Sequence, residues 1–181
     1  KELEKQKEKV EQDLAQEIAA KLKQSIELLI IRQERIRDEM VRLNELQEAD
    51  GELTSAQRQT LSGLSIEQAT LTDEIRSFAE AIAKAEVYHL SLQLTAEVTT
   101  DLARLLDTGE LDASMIALAQ EAVDRLQQLV IALEEEQNQQ QGQQDQQPQE
   151  GQNQQQQQPG GNQDGISQTA QLRLLKMMQE S

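Results

Sequence analysis

The chain has no cysteine and no tryptophan, and among its 181 residues there are one phenylalanine, one tyrosine, one histidine and two prolines. Each shortage excludes something. Without cysteine there are no disulfides and no thiolate chemistry. Phe78 and Tyr88 are the only rings on which bases could stack, and a net charge of −16 repels phosphate backbones, so nucleic acid is not an expected partner. His89 stands alone, without the second His or a Cys that a metal set needs, and no nucleophile–base spacing, phosphate loop or cofactor motif accompanies it. No catalytic residue, metal or cofactor is expected, and an enzyme is the weakest of the function classes. No apolar run approaches the ~20 residues of a membrane span. Both prolines come after residue 147, so nothing interrupts helix over the first 136 positions.

What is present is Leu, Ile, Val and Ala at helical spacing, a composition that builds thin helical seams in an all-α protein. The stretch from Leu61 to Leu106 organises the rest. Its seam falls at Leu61, Leu64, Gln68, Leu71, Ile75, Phe78, Ile82, Ala85, His89, Leu92, Ala96 and Thr99, in steps of three and four, the period of a left-handed coiled coil. From Val87 a second apolar row joins it through Leu90, Leu94, Val98, Leu102 and Leu105. The first half is therefore expected to face one partner helix and the second half two, all within one helix of about 55–106.

Residues 1–48 read as a first helix whose opening third is lysine-rich and weakly apolar. Ala49-Asp50-Gly51 is a stop, since glycine can take the left-handed conformation that closes a helix. Thr54 and Gln57 then have capping-box form. So short a connection makes the helices antiparallel. If the turn centres on residue 52, paired numbers sum to 104, which sets Leu43 against Leu61, Leu29 against Ile75 and Leu22 against Ile82. The same register places Gln68 opposite Ile36 and Gln33 opposite Leu71, where seam glutamines disfavour slipped registers. Asp107-Thr108-Gly109 repeats the stop, Asp112 is placed to cap a third helix over 112–136, and Leu111 with Ile116 has the spacing of a hydrophobic staple. The third helix is shorter, so the expected architecture is an antiparallel coiled-coil hairpin widening to a three-helix bundle at one end, with a bare two-helix arm at the other.

Residues 137–165 are Gln-rich, hold both prolines and carry almost no apolar side chain, the composition of a disordered linker. Residues 166–181 return to a helical pattern with Leu172, Leu174, Leu175, Met177 and Met178, and form a short terminal helix. The chain begins at Lys1 without a methionine and stops while still helix-like, as expected of a stretch cut from a longer protein.

The block from Leu102 to Leu133, with Leu-Leu-Asp-Thr-Gly-Glu at a turn followed by Ala-Gln-Glu-Ala-Val-Asp-Arg-Leu-Gln-Gln-Leu, resembles uncharacterised bacterial envelope coiled-coil proteins of the planctomycete type. Their Gln/Gly/Pro linker and closing Leu/Lys/Met helix are matched here by residues 137–165 and by Gln-Leu-Arg-Leu-Leu-Lys-Met-Met-Gln-Glu. The likeness covers roughly residues 85–181. It implies an exported protein, envelope or periplasmic, with a signal or membrane tether outside this stretch. It carries no activity and no catalytic residues.

Two places are candidates for partner binding. Leu28, Leu29, Ile30 and Ile31 put apolar side chains all round one helical turn, more than a two-helix arm can bury, which points to self-association or to overpacking inside the hairpin. Leu174, Leu175 and Met178 would dock the terminal helix on its own bundle or on a separate protein, methionine being suited to irregular grooves. His89 reads as a seam residue, and on that view His89→Leu should raise stability. Glu134-Glu135-Glu136, unfavourable at a helix carboxyl end, reads as the point where the third helix dissolves. The function expected is a coiled-coil spacer or scaffold that mediates protein–protein assembly, through a protein partner or self-association. The alternative is a holdase-type chaperone gripping apolar client segments.

Overall fold

The computed structural model describes residues 2–142 and 168–180. It is all-α: α1 (Glu2–Asp50), α2 (Ser55–Ala81), α3 (Glu86–Asp107), α4 (Ala113–Gly142) and α5 (Gln168–Glu180), with no strand among the described residues. The expected linker lies, from residue 143 on, outside the described residues. Its first six positions, 137–142, continue α4.

The helix ends form as their residues dictate. Gly51 closes α1 at φ 86°, its N–H bonded to the Gln47 carbonyl at 2.8 Å, and Gly109 takes φ 76° after α3. Thr54 Oγ1 accepts from the Gln57 N–H at 3.3 Å while the Gln57 side chain accepts from the Thr54 N–H at 2.6 Å, so both halves of the capping box are made. Asp112 Oδ1 accepts from the backbone N–H groups of Ser114 (2.7 Å) and Met115 (3.0 Å) and from the Ser114 hydroxyl (2.5 Å). The Ser114 hydroxyl first, and then the Met115 amide, hold the Asp112 carboxyl below its usual value. Leu111 is buried beside the half-buried Ile116, completing the staple.

The hairpin of α1 and α2 has the expected register. Gln33 bonds Gln68, Arg35 pairs with Glu67 and Arg32 with Glu74, numbers that sum to between 101 and 106. One detail differs: the two seam glutamines do not face Ile36 and Leu71 but each other. Each amide donates to the other, at 3.0 and 2.9 Å, with both side chains fully buried. Two amides that satisfy each other avoid the penalty of two polar groups against aliphatic neighbours.

The central stretch is not one helix. It breaks at Ile82–Ala85 and folds back, so that α3 runs antiparallel beside α2. Ser65 Oγ donates to the Ala103 carbonyl at 3.2 Å, and His89 Nδ1 lies 2.7 Å from the Ala79 carbonyl, pairs whose numbers both sum to 168. The reason lies in what each half would have faced. As one rod, residues 87–106 would have lain along the lysine-rich opening of α1, which has little apolar surface to offer. Folded back, the seam row packs against α2 and the second row, apart from the exposed Leu90, turns toward α4 and α5 instead. The turn keeps short backbone bonds, Ala85 N–H to the Ile82 carbonyl at 2.9 Å among them, so little hydrogen bonding is lost. The seam itself survives: every position from Leu61 to Thr99 is buried except Phe78 and His89, which are half-buried.

The bundle therefore has four helices in up-down-up-down order rather than three. α4 lies along α1, not along the far half of a long second helix: Gln47 Nε2 meets the Leu111 carbonyl, Arg37 meets Gln120, and Lys23 meets Glu134, with numbers that sum to 157 or 158. The tightest pairs are α1 with α4 and α2 with α3; the α1/α2 and α3/α4 seams are looser. One core runs through all of it, from Leu22, Ile26 and Ile36 through Leu71, Ile75, Tyr88 and Leu92 to Leu126 and Leu133. The bare two-helix arm does not exist. α2 ends level with Lys23 and α4 level with residue 15, so only the opening of α1 runs past the bundle.

Candidate partner-binding surfaces

α5 lies in the α3/α4 seam, closer to α4. Its start meets the start of α3, where Gln171 Oε1 accepts the Val87 N–H at 3.2 Å. That amide belongs to the unpaired first turn of α3, and Ala85 at the N-cap has no side chain to serve it. Leu174 is fully buried in the common core, and Met177 and Met178 pack against it half-buried. Met178 reaches a shallow groove with Gln120, Glu121, Asp124, Arg125 and Gln128. Leu175 points outward, and Leu172 more so. Of the three expected contact residues, Leu174 and Met178 hold the helix and Leu175 does not; Met177 takes its place. The i, i+3, i+4 spacing of Leu174, Met177 and Met178 was the signal for this.

The Leu28–Ile31 turn divides in the same way. Leu29 is buried between the helices, Ile30 is half-buried toward α4, and Leu28 and Ile31 remain 58% and 60% exposed. Outside that turn, sequence reasoning missed Ile66 on α2, the most exposed large apolar residue among the described residues at 69%. It stands off the seam and carries no pattern of its own.

His89 serves the α2/α3 turn. A carbonyl oxygen only accepts, so Nδ1 must carry the proton and donate to Ala79 at the carboxyl end of α2. The histidine is a clasp on the fold-back rather than a tolerated polar intruder, which reverses the expected effect of His89→Leu. Glu134 does not mark a helix end either. It bonds Lys23 of α1 at 2.7 Å, and that bond is the first cause raising the Lys23 pKa, while α4 continues to Gly142.

Among the described residues no group of His, Cys, Asp and Glu is placed to hold a metal ion, and no helix is long and apolar enough to cross a membrane. The surface chemistry left is helix faces, some apolar and some charged. No protein-family model matches the chain, and no curated protein or solved structure shows significant similarity to it.

Proposed function

We propose that the protein is a structural interaction module, a helical spacer that holds protein partners at a set separation; its envelope setting follows from the resemblance alone. The observation that supports this reading is the length of α1. At ~1.5 Å per residue its 49 residues span about 73 Å, against about 40 Å for the 27 of α2. The part alongside α2 and α4 is braced by core residues from Leu22 to Leu43 and by the Lys23–Glu134, Arg32–Glu74, Arg35–Glu67 and Arg37–Gln120 pairs. The rest leaves the bundle as a single helix of about 20 Å, beyond the end where α2 turns into α3 and α5 begins, and away from the loops at the far end. Such a shape suits carrying a contact at a distance.

A spacer must be stiff. Because the chain has no cysteine, spin labels can be placed on cysteines introduced at positions 5 and 45 without competing sites. A straight helix sets them about 60 Å apart with a narrow distribution; a short or broad distribution would rule the spacer out. The holdase alternative is separated by client protection, since a spacer does not suppress the aggregation of an unfolding enzyme.

A further inference from the structure

We infer that the outer face of the α1/α2 seam is the contact through which two copies of this chain pair. The inference rests on the assembly reading above and names its partner. Four facts converge on this face.

The first is an asymmetry in the bundle. It has two loose seams, and one of them, α3/α4, is covered by a helix, α5. The other, α1/α2, has no helix over it among the described residues.

The second is what that open seam displays. Leu28 and Ile31 stand out from α1 at 58% and 60% exposure, and Ile66 stands out at 69% from the outer side of α2, between Glu67, which meets α1, and Ser65, which meets α3. The register sets Ile66 level with residue 38, so the two apolar spots lie about 10–15 Å apart along the bundle. A two-fold axis midway between them brings Ile66 of each copy against Leu28 and Ile31 of the other, which makes both contacts at once from one surface.

The third is charge, which would otherwise keep a second copy away. Two copies of a chain carrying −16 repel each other over most of their surface. Across this seam the charges cancel inside one copy, since Arg32 pairs with Glu74 and Arg35 with Glu67. On α2, between Gln59 and Thr72, the only other side chains are apolar, amide or hydroxyl, and on α1 the run from Glu27 to Asp38 balances three acids with three arginines, Arg37 pairing with Asp38. A locally neutral face is one where a second acidic copy can approach without burying unpaired charge.

The fourth is Gly63. It sits inside α2, one turn before Ile66 on the same side, and a Cβ added there would meet nothing within 4 Å. Within one copy, alanine would fit and favour the helix. A missing side chain beside Ile66 gives an incoming helix room for close approach.

The test is sedimentation equilibrium of the full chain across the micromolar range. The expected result is a monomer–dimer equilibrium with a dissociation constant on the order of 10 μM. Ile66→Asp and Ile31→Asp, each placing a charge in the contact, should each weaken it at least ~10-fold. Both positions are exposed, so helix content by circular dichroism stays unchanged. Leu172→Asp, on the outer face of α5, should leave the dimer intact. A chain that stays monomeric throughout, a dimer indifferent to both α1/α2 substitutions, or one lost through Leu172→Asp overturns the inference. A monomer that passes the 5-to-45 distance test removes only the paired state and leaves the spacer standing.

Discussion

At the scale of single residues, the bundle depends on a few polar groups that satisfy one another away from water. The buried Gln33–Gln68 pair shows how. Replacing one member strands the other amide against a leucine, so Gln33→Leu should cost about 1–3 kcal/mol. Replacing both removes the polar groups together, and the double variant Gln33→Leu with Gln68→Leu should come within about 1 kcal/mol of the parent or exceed it. Urea midpoints at unchanged slope would show this; a double variant at least as unstable as the single one would mean the pair is not the unit. His89 is a second case. Losing its bond to the Ala79 carbonyl should make His89→Leu about 1 kcal/mol less stable, and thermal melting that moved upward would contradict the clasp.

At the scale of elements, α5 is held by one side of a short helix. Thirteen residues are too few to stay helical alone, so α5 persists only through its docking. Leu174→Asp should release it, seen as fast hydrogen exchange over residues 171–179 with protection of α1 to α4 unchanged. Leu175→Asp should leave it docked. Slow exchange after Leu174→Asp would mean that Met177 and Met178 suffice. The elements also show what was legible. Caps, stops and the α1/α2 register follow from local rules, because a glycine at positive φ or a threonine three residues before a glutamine has few other uses. The break at Ile82–Ala85 contains Ala, Lys and Ile, with no glycine or proline, and the heptad runs through it without a skipped step. Its only trace was the second apolar row starting at Val87, which tells how many neighbours a helix has but not where the chain must turn to meet them. The end of α4 was misjudged for a related reason. Glutamine is a good helix former, and the Lys23–Glu134 bond to α1 carries the helix through the acidic run. The exposed side of the Leu28–Ile31 turn could be told from its buried side only once the neighbours of α1 were known.

At the scale of the molecule, folding the central stretch back on itself changes what the chain can do. Two long helices would have made a thin rod with its apolar rows half covered. The fold-back produces instead a four-helix body with one core, a covered seam on one side, an open and neutral seam on the other, and a single helix leading away. The proposed spacer and pairing face both belong to that arrangement, because α3 and α4 cover the inner side of the α1/α2 hairpin and leave only its outer side open. The most direct measurement is therefore the distance between spin labels at Ser62 and Asp107, two exposed positions at the far ends of α2 and α3. With the fold-back these residues stand on neighbouring helices near the same level, and the labels should lie within about 20 Å of each other, given interaxial distances of 8–10 Å and the label arms. One continuous helix would hold them 45 residues, or about 68 Å, apart, and that distance would contradict the account.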